Sequence, residues 1–181
     1  MKPYNNPPKL NTTRRFADNL TSAHALTLKA KLGEKGNSKG TSYALPAFNI
    51  TTFQGINAAF DAFETLGSSG VLALSNSALK HFGAGDAITG LEVAANYIET
   101  RAKRSSIQIA THLDHGDYTS EGGRKVVQGA VQHLTSVMAD NSTDHVNKCA
   151  RSLEENIGYT REVVNMAHPL GVSVEGELGV L

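Results

Sequence analysis

The sequence predicts an α/β fold built on parallel strands, and three observations carry that prediction. Short apolar runs alternate along the chain with segments of helical periodicity, the junctions between runs carry no hairpin signal, and a run such as "VLALSN" is continuously apolar, as strands buried on both faces are. Strand, helix, strand in unbroken succession implies right-handed crossovers. Two architectures satisfy that pattern, an open doubly wound sheet and a closed (β/α) barrel.

The elements follow in order. Residues 1–40 read as a leader and a first helix, the latter an amphipathic segment around Phe16, Leu20, Ala23 and Leu26. The leader has no acid before Asp18 and carries Lys2, Lys9, Arg14 and Arg15, which suits an organelle transit segment or, equally, a disordered stretch around "NNPP". After the loop "GEKGNSKGTS", residues 41–181 read as a run of β/α units. The first strand is "YALPAFN", Tyr43 to Asn49. Its helix is marked by Ile56, Ala59, Phe60, Phe63 and Leu66 and stops at "GSSG". The second strand is Val71 to Asn76, followed by a helix from about Leu91 to Ile98. The third is "IQIATHLDH", with a helix through Val126, Val127, Ala130 and Val131, and the fourth is Leu134 to Asp140. The longest predicted helix carries the stripe Leu153, Ile157, Thr160, Val164 and Ala167 and ends at Pro169 and Gly171; the fifth strand is Val172 to Leu178.

Polar residues stand at the C-terminal end of every predicted strand: Asn49, Ser75, Asp114 with His115, Asp140, and Glu175 with Glu177. A doubly wound nucleotide binder would show a Gly-rich turn after its first strand, but "FNITTFQG" has neither G-x-G-x-x-G nor a Walker lysine. In a barrel the strand ends converge on one mouth, where such enzymes build their active sites. The prediction is therefore an α/β (β/α)8 barrel of which about the first five β/α units are present.

Composition narrows the partners. Seventeen basic residues balance seventeen acidic ones, so the chain lacks the electrostatic footprint of a nucleic-acid or membrane-surface binder. Cys149 stands alone, which excludes an internal disulfide framework and agrees with a reducing compartment. No apolar run is long enough to span a bilayer. The expectation is a soluble protein of the cytoplasm, with a plastid as the alternative.

The densest cluster of chemistry is "ATHLDHGD", Ala110 to Asp117. Alternation along a strand puts His112 and Asp114 on one face and Leu113 and His115 on the other. Only at the strand's end, where the chain turns at Gly116, could Asp114 and His115 both lean over the mouth. An imidazole beside carboxylates from neighbouring strands matches the ligand set of zinc; the alternative is a loop-capping histidine and a turn-forming acid. Convergence of five strand ends favours the first reading. His112 is expected to orient its neighbours by hydrogen bonds. His24, His81, His133, His145 and His168 read as surface or helix-end residues, and Asp117 as solvated.

Six motifs in order, "YALPAFN", "LALSNSALK", "ATHLDHG", "TSVMADNS", "EENIGYTREVVNMAH" and "GVSVEGELG", together resemble the N-terminal and middle parts of the class II, zinc-dependent fructose-bisphosphate aldolases, over roughly Tyr43 to Leu181. The ending "VEGELGVL" is most similar to the Calvin-cycle branch. The resemblance implies a (β/α) barrel that reversibly cleaves fructose 1,6-bisphosphate to dihydroxyacetone phosphate and glyceraldehyde 3-phosphate. It implies that Asp114 exchanges a proton with the C4 hydroxyl and that His115 binds the catalytic zinc. Asp140 and Glu177 match carboxylates at an alternative metal position, and Asn49 and Ser75 match groups near the substrate. In such a reaction zinc offsets the negative charge left on the dihydroxyacetone fragment. It also implies a homodimer when complete.

Two departures stand out. Asn141 occupies a position where the family usually shows glycine, and "DYTSEGGRK" reshapes the loop between His115 and Asp140. Such barrels commonly need about 250 residues and eight strands. The family's two further zinc-binding histidines and its phosphate-binding loops would follow Leu181, so the chain by itself is expected to be inactive. The alternatives are a non-catalytic module pairing through its open barrel edge, and a tagatose-bisphosphate aldolase.

Overall fold

The computed structural model describes residues 16–35, 38–144, 147 and 149–179. Most of the predicted leader, and His145, therefore lie outside the described residues. Five parallel strands form one sheet: β1 (Ala47–Asn49), β2 (Gly70–Ser75), β3 (Ile109–Gly116), β4 (Ser136–Ala139) and β5 (Ser173–Gly176). Their order in the sheet is strictly sequential, each strand adding to the same edge. A doubly wound sheet reverses direction at a switch point. This one never does, so its helices gather on one face, as in a (β/α) barrel. The described part of that barrel is five units, open between β1 and β5.

The helices are α1 (Ala23–Leu32), α2 (Phe53–Leu66), α3 (Asn76–Phe82), α4 (Ala87–Ala102), α5 (Glu121–His133) and α6 (Leu153–Ala167). Each starts on a side chain that accepts a backbone N–H: Ser22, Thr52, Ser75, Asp86, Ser120 and Ser152. Leu72, Leu74, Leu113, Val137 and Ala139 face these helices and pack with Phe60, Phe63, Leu91, Ile98, Val127, Val131 and Val163 into the main core. Val71 and Ala110 point to the opposite face, the barrel interior, and meet Leu26 of α1. α1 thus plugs the floor of the barrel. It is tied there by Thr21 N–H to the Ile109 carbonyl (3.0 Å) and Ile109 N–H to the Asn19 carbonyl (2.9 Å), both at the start of β3 and away from the strand ends.

Several predicted boundaries shift for physical reasons. "YALPAFN" is a strand only over Ala47–Asn49, because an edge strand has one neighbour and Pro46 has no N–H to give it. Leu66 does not continue the α2 stripe and is 76% exposed. The segment "NSALKHF" is a helix, α3, that sequence periodicity alone left unassigned. The longest described helix is α4 rather than α6. On α6 the buried side is Asn156, Val163 and Ala167, while Leu153 (61%) and Ile157 (38%) are exposed. The N-terminal half of the stripe read from the sequence, Leu153 and Ile157, is therefore on the open side of α6, and of the five only Ala167 is buried. The loop after α1 folds into a short antiparallel pair, Glu34–Lys35 with Ser38–Lys39, and Thr143–Asp144 pairs with Cys149–Ala150. No helix among the described residues is long and apolar enough to cross a membrane.

Candidate active site at the strand ends

The register of β3 against β4 breaks where the motif "HLDHG" lies. Leu113 pairs with Val137 and Gly116 with Ala139, so Asp114 and His115 together oppose Met138. This is a β-bulge, two residues against one, and it resolves the alternation problem by aiming both side chains at the mouth. The bulge has identifiable supports. His115 adopts φ +51°, uncommon for a residue with a side chain. Its backbone N–H meets Met138 Sδ at 3.4 Å. Gly116 follows because a Cβ there would lie 2.6 Å from the Met138 carbonyl oxygen.

At the mouth, His115 Nδ1 lies 2.8 Å from Asp140 Oδ2, and its Nε2 lies 4.0 Å from Asp114 Oδ1. The other Asp140 oxygen, Oδ1, accepts Ser142 Oγ–H at 2.7 Å. The hydrogen bond to Asp140 raises the His115 pKa despite some burial, with Asp114, Asp140 and Glu177 adding charge attraction. Burial pushes Asp140 up, but the bonds from His115 and Ser142 outweigh it and hold the carboxyl below its usual range. With Nδ1–H given to Asp140, the neutral form of His115 carries its lone pair on Nε2, over the mouth.

Below this pair, His112 is 6% exposed. Its Nδ1 lies 2.8 Å from Ser136 Oγ, and its Nε2 lies 3.5 Å from Glu175 Oε2. Burial lowers its pKa to about 4, so the imidazole is neutral at physiological pH. The Glu175 carboxyl is raised, by burial and then by the carboxylates of Asp114 and Glu177. Its side chain is nevertheless 62% exposed, so solvent screens both contributions. Ser136 is the site neighbour that the sequence did not single out; its inward position, in register with His112, is the signal that could have found it, whereas Glu175 was already among the polar strand-end residues.

Ser75 pairs in register with Asp114 across β2 and β3. Its Oγ accepts the Ala78 N–H and lies 3.0 Å from Ser77 Oγ, so one hydroxyl serves both a helix start and the mouth. Asn49 pairs with Ala73, level with His112 and one layer below Ser75 and Asp114, on an exposed edge. Glu177 lies just past β5; its carbonyl accepts Asn156 Nδ2–H at 2.7 Å, and its charge is felt by both His115 and Glu175. The structure thus draws His115 against Asp140, with Asp114 at 4.0 Å from the imidazole, Ser75 and Glu177 nearby and Asn49 lower. Asp117, expected to be solvated, ties a turn: its carboxylate accepts the hydroxyls of Thr119 and Ser120, each at 2.6 Å.

A catalytic zinc takes three protein ligands and keeps a position open. Among the described residues no three His, Cys, Asp or Glu side chains gather closely enough to hold a metal ion. Asp140 has both oxygens engaged, one orienting His115, as carboxylates behind a metal-bound imidazole do. His115 Nε2 suits one ligand of a zinc site; the described residues do not make up the set.

The model of the family described as fructose-bisphosphate aldolase class II matches residues 36–181. This chain belongs to that family. It is 39% identical over 139 residues to a fructose-bisphosphate aldolase of Nostoc sp. strain PCC 7120, and 37% identical over 140 residues to that of Helicobacter pylori. Each match covers 77% of this chain but only 36% and 40% of the relative, so the chain spans well under half the length of these curated relatives. Among solved structures, the YdjI aldolase from Escherichia coli K12 matches with a TM-score of 0.67 at 26% identity, over 88% of this chain and 51% of that one. A fructose-bisphosphate aldolase from Campylobacter jejuni matches with a TM-score of 0.71 at 21% identity, over 89% of this chain and 47% of that one, which bears on the fold alone. The fold of these class II aldolases is the barrel predicted from the strand ends.

Proposed function

We propose that this chain is the N-terminal and middle portion of an enzyme that cleaves fructose 1,6-bisphosphate reversibly to dihydroxyacetone phosphate and glyceraldehyde 3-phosphate. The observation that carries the reading is the bulge, which sets a carboxylate and an imidazole on one side of β3, with the Ser75 hydroxyl in register beside them, in a chain of the aldolase family. In the cleavage direction the Asp114 carboxylate takes the proton of the C4 hydroxyl. The C4–O bond becomes a carbonyl, the C3–C4 bond breaks, and its electron pair stays on the dihydroxyacetone fragment as C3 becomes nucleophilic. In the synthetic direction the same carboxyl returns the proton. His115, held in one tautomer by Asp140, faces this step from Nε2. Ser75 and Asn49 bind hydroxyl oxygens of the sugar by hydrogen bonding.

Zinc is part of the proposal on the strength of family membership and the free His115 Nε2. No step here runs through it, and Asp140 and Glu177 are its proposed ligands at an alternative position only. The substrate is a small sugar phosphate, and the full-length enzyme is proposed to be a homodimer. The test is a coupled assay on the full-length protein. The expected result is triose phosphate release from fructose 1,6-bisphosphate, lost on chelation and restored by zinc. Undiminished turnover after chelation would remove the metal from the account, and a higher kcat/KM for tagatose 1,6-bisphosphate would replace the substrate.

A further inference from the structure

We propose that five side chains behind the mouth, Asn141, Tyr118, Arg124, Tyr159 and Arg151, form a closed clasp that positions the Asp140–His115 pair. The proposal rests on reading that pair as part of the active site, and it assigns these five as positioning residues that touch no substrate.

Two loops leave the strand ends here, one after β3 and one after β4, and the contacts between them form a ring. Asn141, fully buried, accepts the Tyr118 N–H on Oδ1 at 3.3 Å. The Tyr118 carbonyl accepts Arg124 Nε–H at 2.9 Å. The Arg124 guanidinium lies 5.1 Å from the centre of the Tyr118 ring and 5.9 Å from that of Tyr159. Arg151 stands 5.5 Å from the centre of the same Tyr159 ring, so one aromatic ring of α6 serves two cations. The Arg151 N–H donates to the Ser142 carbonyl at 2.8 Å, and Ser142 Oγ–H donates to Asp140 Oδ1 at 2.7 Å. Asp140 is bonded covalently to Asn141, which closes the ring.

The purpose of such a ring follows from what it holds. A carboxylate with one oxygen fixed by Ser142 has a single orientation in which its other oxygen meets His115 Nδ1. That contact in turn selects the tautomer with Nε2 unprotonated. His115 also sits at a positive φ, a conformation that persists only when its surroundings determine it. The clasp links the two loops: Tyr118, after β3, is held to Arg124 at the start of α5, and Asn141, after β4, supplies the acceptor that holds Tyr118.

The test reads the imidazole and not turnover, so it stands or falls separately from the proposed reaction. Long-range 1H–15N spectra of His115, identified by its loss in His115→Gln, report the tautomer once the pH is taken above the observed titration of the ring, where it is neutral. The unmodified chain should show the Nδ1–H form. Arg124→Met and Tyr159→Leu should each raise the Nε2–H form to roughly a third or more of the population. Tyr159→Phe, which keeps the ring, should leave the spectrum unchanged. Folded Arg124→Met and Tyr159→Leu proteins that both keep the Nδ1–H form would overturn the clasp, as would Tyr159→Phe behaving like Tyr159→Leu. If Tyr159→Leu does not fold, Arg124→Met decides alone.

Discussion

His112 and His115 stand three residues apart on one strand and are driven in opposite directions. Burial lowers His112 to about 4, whereas the bond to Asp140 raises His115. Between pH 6.5 and 4 the unfolded chain therefore protonates His112 while the folded chain does not, so its contribution to stability is complete above pH 6.5 and is lost as pH falls. The loss amounts to about 3 kcal/mol at full effect. His115 behaves inversely, stabilising below its unfolded pKa and losing that contribution as pH rises through its folded value. An NMR titration should show His112 still neutral at pH 5 and His115 titrating above 6.5, and His112→Asn should flatten the acid limb of stability measured by urea unfolding. Asp117→Ala should cost about 1–2 kcal/mol, from the turn its carboxylate ties, while leaving cleavage intact in the full-length enzyme. That Asp114 and His115 share the mouth was legible from their place beside a glycine at a strand end. The bulge that achieves it was not, because it is created by pairing with β4, and no local pattern records that partner.

Among the elements, α3 and α4 meet so closely that side chains are excluded. A Cβ on Gly90 would lie 1.7 Å from the Leu79 carbonyl oxygen and 2.9 Å from Gly83 N. Gly90→Ala should destabilise the fold by at least the ~3 kcal/mol that marks the upper end of ordinary overpacking, read as a lowered urea midpoint. α6 begins with a capping box, Ser152 and Glu155 exchanging bonds, and Ser152→Ala should cost about 1 kcal/mol. Strand and helix alternation was readable because buried parallel strands are continuously apolar, as in β2. α3 escaped because seven residues hold barely two turns, too few to establish a period. The α6 stripe was read from apolar spacing alone, but the side that packs inward includes Asn156, whose amide is satisfied by the Glu177 carbonyl, and polar residues with such partners are invisible to a hydrophobic pattern.

At the scale of the molecule, β5 has one paired edge among the described residues, and beside it Ile157, Thr160, Val164 and Leu178 line an open groove of about 390 Å³. Leu178 is 71% exposed there. An apolar groove along an unpaired strand favours association. The 181-residue chain should therefore self-associate in analytical ultracentrifugation, and Ile157→Lys with Leu178→Lys should shift it toward smaller species. The family match over 36–181 and the strand-end geometry support the proposal that side chains from successive strands act together on a sugar phosphate at the mouth. Steady-state cleavage of fructose 1,6-bisphosphate by full-length Asp114→Asn tests it most directly. The account predicts kcat lowered by about 10²–10⁴ with KM changed only a few-fold. A kcat within a few-fold of the unsubstituted enzyme would contradict it.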